Sequence, residues 1–420
     1  MLNLSFSFFK KFKRYLFPFY RNKELIFVFK KLNEGFSKEI PIAKFVGGCV
    51  RKHLTGETVD DIDIATTLSS DEIKERFKET HFKIIETGIE HGTITIVSEK
   101  MKLEITTLRK DVKTDGRHAE VQYIDNWVLD SERRDFTINA IYLDINGRIF
   151  DPQMGLSDLK NNNVKFIGDP QKRIEEDYLR IIRFLRFAIQ YDSNTDNNTI
   201  EALKLNLDGI QKISKERILR ELLKILELKN FENILKHHNK KLIFSLIFPE
   251  LKFLDRLQRL KSIYKHSSIN RDILLAILLM DEKENHEYFC HKYKVSNEIK
   301  DKLSLISKNL KLLKENKNFF DSDLEKNIYL NGKNHLISIN ILNYTINNKC
   351  KFSSFSKNLR NIMNSKVHKF PINGKYLIAK GMDEGLPLGK VLKKVESEWI
   401  NNNFKISEEK IQYIIKQNSN

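Results

Sequence analysis

Two glycines near residue 47 have the type and position needed to hold a phosphate group. Gly47 and Gly48 follow a short apolar run that predicts a strand, and Arg51 lies on the helix expected to follow. Glycine lets backbone N–H groups approach an anion closely, and the start of a helix attracts the same anion. The stretch predicts a seat for a triphosphate, and an ordinary glycine turn is the alternative.

Two carboxylates follow within a segment, 59–65, whose alternation predicts a strand. On a strand, Asp61 and Asp63 would point to one face, and Ile62 and Ile64 to the other. Carboxylates beside a phosphate site suit Mg²⁺, which prefers one or two of them plus substrate phosphates. Two such ions stabilise both the attacking and the leaving oxygen of a displacement. A solvated edge strand is the alternative, but the two motifs in this order favour polyphosphate chemistry.

The elements around these motifs are predicted to be short strands with helices between them. Glu104 lies on a strand expected over 103–108, where it is either a third carboxylate of the metal site or an exposed strand residue. Residues 110–122 have turn chemistry and little apolar periodicity, which indicates a mobile loop over the site. A dense group of arginines and carboxylates over 133–140 is expected to enter another strand, with surface ion pairs as the alternative.

Beyond residue 170 the periodicity becomes helical. A single amphipathic helix is predicted over 173–191, with its arginines on the arc opposite the apolar residues. Asp177 and Arg180 on it could form an i,i+3 ion pair. They also fit a template for cytosine and adenine, which both present an amino donor beside a ring-nitrogen acceptor, whereas uracil and guanine do not. Unpaired buried groups would then reject uracil and guanine.

Composition indicates a globular protein with an anionic partner. The chain has 420 residues, 40% of them hydrophobic, and a formal net charge of +17. This charge favours nucleic acid, although a compositional bias toward lysine also produces it. Cys49, Cys290 and Cys350 have neither disulfide-framework nor zinc spacing, which fits a reducing, cytoplasmic setting. No apolar run reaches membrane-spanning length.

The first 25 residues interleave aromatic with basic side chains. Such a segment suits a membrane surface, an RNA or an organelle targeting peptide. It lacks a clean signal-peptide core and a small-residue cleavage site. We therefore expect an N-terminal extension that packs on the first domain.

The motifs, taken in order, resemble the class II tRNA nucleotidyltransferase and bacterial poly(A) polymerase superfamily, which belongs to the polymerase-beta-like nucleotidyltransferases. The resemblance covers about 45–225 well, and it rests on five motifs: Gly47-Gly48-x-Val50-Arg51 with Asp61-x-Asp63, Asp115-Gly116-Arg117, Arg133-Arg134-Asp135-Phe136-Thr137, Glu176-Asp177-x-x-Arg180-x-x-Arg183, and Ser214-x-Glu216-Arg217. Lys52 and Tyr376 depart from it, since Asp is usual at the first position and frequent at the second.

The resemblance implies roles for named residues. Asp61 and Asp63 would be catalytic and would hold Mg²⁺. Asp177 and Arg180 would read the base. The other expected nucleotide contacts are Gly48, Arg51, Arg134, Arg183 and Arg186.

The resemblance also implies a fold and an activity. The expected fold is α+β, with a nucleotidyltransferase head over 26–150 followed by a helical neck over 151–225, a body over 226–340 and an RNA-binding tail over 341–420. The residues 88–93 look like the CCA-adding branch. The expected reaction is template-independent addition of CCA to the 3′ end of tRNA from CTP and ATP, by two-metal transfer with release of pyrophosphate. A poly(A) polymerase and an inactive RNA-binding relative are the alternatives.

Overall fold

The structure, a computed structural model, describes residues 22–36, 41–86, 92–114 and 119–418. The chain divides into two compact units, Met1–Pro249 and Glu250–Asn420. Most of the predicted N-terminal extension lies outside the described residues. The predicted boundaries between head, neck, body and tail stay predictions.

The first part of unit 1 alternates strands with short helices. The elements are α1 (Lys23–Leu32), β1 (Ala43–Val46), α2 (Gly48–Thr55), β2 (Ile62–Thr66), α3 (Ser70–Phe77), β3 (Lys83–Ile85), β4 (Thr93–Val97), β5 (Lys102–Thr107), β6 (Arg109–Thr114), β7 (Ala119–Tyr123), α4 (Trp127–Glu132), β8 (Tyr142–Leu143) and β9 (Ile149–Phe150). In the described residues, seven strands form one mixed sheet in the order β3-β4-β5-β2-β1-β8-β9. The neighbouring strands β2 and β5 are parallel, and β1 runs antiparallel to β2.

The two faces of this sheet differ because strand side chains alternate. One face is apolar, with Phe45, Ile64 and Ile105 fully buried, and Phe45 packs on Phe29 of α1 at a ring distance of 4.5 Å. The predicted strand over 59–65 begins later than expected, at Ile62. Only one of the two predicted acids is therefore a strand residue.

The predicted mobile loop over 110–122 is largely a β-hairpin. Strands β6 and β7 pair antiparallel from Arg109 opposite Tyr123 to Thr114 opposite Ala119, with an irregularity between Asp111 and Lys113. The prediction was wrong because a polar two-stranded ribbon lacks the apolar alternation that identifies strands in a sequence. The four residues 115–118 at its tip lie outside the described part.

The strand expected within 133–140 is also absent. Phe136 makes an isolated bridge to Phe166, and a 3₁₀ turn over Thr137–Asn139 follows it. The Phe136 ring packs on Phe166 at 4.9 Å and on Phe187 at 5.5 Å. Aromatic packing against these two later residues therefore stabilises this segment in place of strand pairing, and β8 begins only at Tyr142.

The rest of unit 1 is helical, with a break where one long helix was predicted over 173–191. Asp177 is extended, with φ −155° and ψ 105°. Its Oδ1 accepts a hydrogen bond from Leu179 N at 3.1 Å, which satisfies a free donor at the start of the next helix. The elements are α5 (Gly155–Lys160), α6 (Pro170–Glu176), α7 (Leu179–Gln190), α8 (Asn197–Leu205), α9 (Lys215–Leu226) and α10 (His238–Ile247).

All regular elements described in unit 2 are helical. Its final three helices enclose an apolar cluster that includes Leu377, Val391, Val395 and Ile411. Within the described residues, none of the helices combines the length and apolar character needed to cross a membrane. The α-helices are α11 (Arg271–Leu279), α12 (Asn285–Tyr293), α13 (Asn297–Glu315), α14 (Leu324–Asn331), α15 (Lys333–Ile346), α16 (Phe352–Asn364), α17 (Gly374–Ala379), α18 (Leu386–Asn401) and α19 (Glu408–Lys416). A mixed-sheet head followed by helices confirms the predicted α+β class.

Candidate active site

The glycine turn and one predicted acid are neighbours. Gly47 has φ +74° and ψ −131°, a conformation that favours glycine, and α2 begins at Gly48. A Cβ atom placed on Gly47 would lie 3.5 Å from Oδ2 of Asp63. The Cys49 thiol on the same turn donates to the Asp63 carbonyl at 3.6 Å. The candidate phosphate seat and the Asp63 carboxylate therefore share one location.

Asp63 lies on the polar sheet face together with another carboxylate. The register of the parallel pair places Asp63 beside Glu104. Burial, the Glu104 charge and the Asp61 charge raise the pKa of Asp63 to about 6, although Arg134 and Arg51 act in the opposite direction. Lys102 donates to Glu104 at 3.0 Å. The anionic charge of the acidic face, Asp61, Asp63 and Glu104, is therefore only partly compensated.

This donor set suits a divalent cation that is also held by substrate. Asp61 is exposed and directly precedes β2, while Asp63 is half-buried. Among the residues that the structure describes, no group of three or more His, Cys, Asp or Glu side chains is arranged as a metal site by itself. Mg²⁺ usually combines one or two carboxylates with substrate phosphates and water. Hard oxygen ligands whose charges repel one another fit such an ion.

Arg134, a predicted nucleotide contact, is held by a carboxylate that the sequence prediction missed. Asp130 is fully buried. It accepts hydrogen bonds from Arg133 Nε at 2.8 Å, Arg134 Nη2 at 3.1 Å and the Tyr142 hydroxyl at 2.7 Å. Burial alone would raise the pKa of Asp130, but Arg134 and Arg133 hold it well below its ordinary value. The i, i+3, i+4 spacing from Asp130 on a helix was the available signal.

Arg51, another predicted nucleotide contact, points toward the helical part of unit 1. It is buried, with 5% of its surface exposed. Its Nε donates to the Tyr191 hydroxyl at 2.8 Å, and its Nη1 donates to Asn139 Oδ1. Its guanidinium carbon lies 4.5 Å from the centre of the Phe187 ring. Arg51 therefore connects α2 to the end of α7.

The predicted arginine stripe exists on α7, and each arginine has an acidic partner. Arg180 Nη1 donates to Glu176 and, at 2.8 Å, to the Arg173 carbonyl. The partner of Arg183 is Asp135, with 2.7 Å from Nε to Oδ2. The last of the three, Arg186, donates to Glu221 at 2.7 Å.

These pairs shift the pKa values of the two buried acids. Burial would raise the pKa of Asp135, but Arg183 lowers it to about 2. Burial likewise opposes ionisation of Glu221, and Arg186 and Arg183 nonetheless lower its pKa. Both carboxylates therefore remain charged at neutral pH.

Asp177 and Arg180 are not paired with each other. Asp177 Oδ2 accepts from Arg217 Nη2 of α9 at 2.7 Å, and the Arg180 backbone N–H donates to the Asp177 carbonyl at 2.9 Å. The simple i,i+3 ion pair that the sequence left open is therefore not formed. The two side chains lie at the beginning of one helix, each held by another residue.

Two predicted motifs lie wholly or partly outside the described residues. All of Asp115-Gly116-Arg117 lies outside them, and so do residues 88–91 of the stretch 88–93. Gly92, within the stretch 88–93, lies close to the β-hairpin, since a Cβ atom there would approach the Tyr123 ring to 2.5 Å. That contact and the φ of +68° both favour glycine at this position.

The two departures from the expected pattern have local contacts. Lys52 forms an ion pair with Asp60, and the Asp61 N–H donates to Asp60 Oδ1 at 3.1 Å. Tyr376 lies in the first turn of α17, where its N–H donates to the side chain of the N-cap residue Asn373 at 3.0 Å. Lys52 thus links α2 to the residue before the first predicted acid.

Family models match most of the chain in three parts. A model described as "Poly A polymerase head domain" matches residues 43–165. A model for the RNA and SrmB-binding site of polymerase A matches residues 194–254, and one for tRNA nucleotidyltransferase domain 2 matches residues 265–415. The first match contains the glycine turn, the acidic face and Arg134.

Three proteins similar to this chain are named CCA tRNA nucleotidyltransferase or CCA-adding enzyme. CCA tRNA nucleotidyltransferase 1, mitochondrial, of Mus musculus is 44% identical over 223 residues, and this alignment spans about half of each chain, 51% in both. The protein of that name in Danio rerio is 30% identical, over 92% of this chain and 90% of its own length. The CCA-adding enzyme of Lactobacillus helveticus is 30% identical, over 91% of this chain and 97% of its own length.

Solved structures share the fold. The Bacillus stearothermophilus CCA-adding enzyme in complex with CTP has a TM-score of 0.70 and 22% identity, and the match covers 94% of this chain and 97% of that one. The Thermotoga maritima CCA-adding enzyme complexed with tRNA has a TM-score of 0.59 and 22% identity, covering 94% and 95%. At this identity the likeness concerns the fold alone.

Proposed function

This chain belongs to the CCA-adding tRNA nucleotidyltransferase family, and from that premise we propose that it adds CCA to the 3′ end of tRNA, without a template, from CTP and ATP. The tRNA 3′-hydroxyl attacks the α-phosphate of the nucleotide, and pyrophosphate leaves. The observation that carries the proposal is the Asp63 carboxylate beside Gly47, 3.5 Å from a Cβ atom placed there. A nucleotidyltransferase needs its metal-binding acid next to its triphosphate seat.

The glycine turn and two arginines provide the proposed triphosphate site. Backbone N–H groups at Gly48 and the start of α2 face an anion favourably. Arg134 approaches the acidic face with its orientation fixed by Asp130, so little reorganisation is needed when the phosphates bind. Arg51 lowers the pKa of Asp63 through its charge. Its side chain is engaged with Tyr191, so we assign it mainly to joining α2 to α7.

We propose Asp61 and Asp63 as the ligands of divalent metal, specifically Mg²⁺, with Glu104 as the neighbouring third carboxylate. A bound divalent ion would supply Lewis-acid stabilisation of the charge on the phosphate oxygens. The raised pKa of Asp63 supports this assignment, because burial and two nearby acids leave that carboxylate in need of a cation. The protein's part is to hold these oxygens on a rigid strand beside the phosphate seat.

Base selection is proposed for Asp177 and Arg180 at the beginning of α7. An aspartate oxygen accepts from the amino group of cytosine or adenine, and an arginine N–H donates to the adjacent ring nitrogen. Uracil and guanine present a carbonyl and an N–H instead, so both protein groups would lose their partners. Arg183 and Arg186 extend the cationic side of this site, with their charges balanced by Asp135 and Glu221.

We further propose that the protein works in a reducing compartment, the cytoplasm. Its three cysteines are free, and Cys49 and Cys290 are buried. The vertebrate relatives are named mitochondrial, and the mitochondrial matrix is the competing compartment. Imaging a fluorescent fusion of the full chain distinguishes them, since a signal confined to mitochondria would contradict the cytoplasmic assignment.

The activity is tested with purified protein, tRNA lacking its 3′-terminal CCA, and each labelled nucleoside triphosphate in turn. We expect two additions with CTP, one further addition when ATP follows, and then no more. UTP and GTP should give negligible product. Long extension with ATP alone would indicate a poly(A) polymerase. No incorporation by folded protein with Mg²⁺ present would indicate an RNA-binding relative without activity.

A further inference from the structure

One contact at the base-reading site comes from outside the helix that carries it. Arg217, on α9, donates to Asp177 Oδ2 at 2.7 Å. The two side chains are 30% and 22% exposed, so the pair is partly shielded from water. Asp177 itself lies at the break between α6 and α7, where no regular helix constrains its side chain.

The two oxygens of Asp177 are each held by one donor. Leu179 N–H binds Oδ1 at 3.1 Å, and Arg217 binds Oδ2. An ionised carboxylate has about four acceptor positions, so a base amino group could still be accepted while both existing bonds remain. The two donors fix the rotation of the carboxylate without using all its acceptor capacity.

The helix that presents Arg217 is itself firmly docked. Glu221, one turn later on α9, is buried and accepts from Arg186 of α7 at 2.7 Å. Ile218 and Leu222 of the same helix are buried as well. Arg217 is therefore held at a defined position relative to the beginning of α7.

We propose that Arg217 is a specificity-determining positioning residue, which holds the Asp177 carboxylate in the orientation that selects cytosine and adenine over uracil and guanine. The inference rests on the proposed function and deepens it. Selection by hydrogen bonds depends on unpaired buried groups in the wrong complex, and a carboxylate free to rotate can avoid that penalty. Loss of Arg217 should therefore weaken discrimination more than catalysis.

The test compares Arg217→Gln, Arg217→Lys and wild type in single-nucleotide incorporation with CTP and with UTP. For Arg217→Gln we expect the ratio of kcat/KM for CTP to that for UTP to fall by about tenfold or more. Arg217→Lys should give an intermediate ratio, because an ammonium retains the charge but not the fixed fork of donors. Arg220→Gln is the matched control, since Arg220 is an exposed arginine of the same helix, and its ratio should equal that of wild type.

A purely structural role for Arg217 predicts a different result. It would lower kcat/KM for CTP and UTP equally and leave their ratio unchanged, which would overturn the inference. If Arg217→Gln fails to fold by circular dichroism, the ratio for Arg217→Lys decides, and an unchanged ratio again overturns it. Failure of wild type to use CTP or ATP would instead reject the proposed function, so the two failures are distinguishable.

Discussion

The acidic sheet face and the boundary between the head and α7 treat partly buried carboxylates in opposite ways. On the sheet face, Asp63 has its pKa raised to about 6 by burial and by the charges of Glu104 and Asp61. Where α7 packs against the head, the Asp135 side chain is only 10% exposed, yet Arg183 lowers its pKa to about 2. The first acid is left with an unfavourable charge, and the second is supplied with a cation by the protein.

This difference distinguishes a binding site from a scaffold. A carboxylate that already has an arginine partner has little to gain from a metal ion, whereas a cation at the proposed metal site would offset the repulsion between Asp63, Glu104 and Asp61. The arginine-paired acids instead fix the positions of cationic side chains around the proposed nucleotide site. The same residue type therefore performs two tasks, and the surrounding charge decides which.

Asp63→Asn should have the largest effect and should separate activity from stability. We expect nucleotide incorporation to fall by about a thousandfold or more, because the proposed metal ligand is lost. We also expect a more stable metal-free protein at pH 7.5, by up to about 3 kcal/mol, since the raised pKa means that the ionised form opposes folding. Incorporation assays and urea unfolding measure the two quantities. Asp71→Asn, whose side chain is 90% exposed, serves as control, and a destabilised Asp63→Asn protein would contradict the comparison.

Asp130→Asn should destabilise the protein, whereas Asp63→Asn should stabilise it. Removing this buried charge leaves Arg133 and Arg134 without their shared partner, so we expect unfolding free energy to drop by about 3–5 kcal/mol. Urea unfolding compared with that of Asp125→Asn, an exposed position just before the same helix, provides the measurement. Stability equal to that of the control would mean that Asp130 does not organise the arginines.

The pH dependence of stability should distinguish the raised pKa of Asp63 from the lowered pKa of Asp135. The folded-state pKa of Asp63 lies above its ordinary value of 3.8, so its stabilising contribution is present below that value and is lost as pH rises through about 6. The pKa of Asp135 is lowered from 3.8 to about 2, so its contribution is present above 3.8 and is lost as pH falls toward 2.

The measurement for this titration is the free energy of unfolding of metal-free protein from pH 7.5 to pH 4. Relative to Asp63→Asn, wild type should gain about 2–3 kcal/mol as Asp63 takes up its proton. A difference that stays constant across this range would show that Asp63 ionises normally.

Lys52→Gln should have the smallest effect. Lys52 is paired with Asp60 at the surface, where ion pairs contribute about 1 kcal/mol or less. We expect a small loss of stability that disappears in 1 M salt, as screening requires. A loss above about 2 kcal/mol would exceed what a surface ion pair contributes. It would mean that Lys52 anchors α2 more strongly than its exposure indicates.

Local sequence predicted the glycine turn and Asp63 better than the contacts of the arginines. The glycine turn and Asp63 are close in sequence, so strand alternation and turn chemistry were enough to place them together. Asp130 was missed, and the break at Asp177 was predicted as continuous helix. Asp177 is bound by Arg217 of another helix, and Asp130 is bound by Tyr142 of β8 in addition to its two neighbouring arginines. Apolar periodicity contains no information on which arginine meets which carboxylate.

The central assignment is that Asp61 and Asp63 hold the metal ions beside the triphosphate. Electron paramagnetic resonance of Mn²⁺ measures this directly, with the full chain and CTP present and without any tRNA. We predict that wild type depletes free Mn²⁺ and that an Asp61→Asn, Asp63→Asn protein, folded by circular dichroism, binds it at least about tenfold more weakly. Equal Mn²⁺ binding by the two proteins would contradict the assignment.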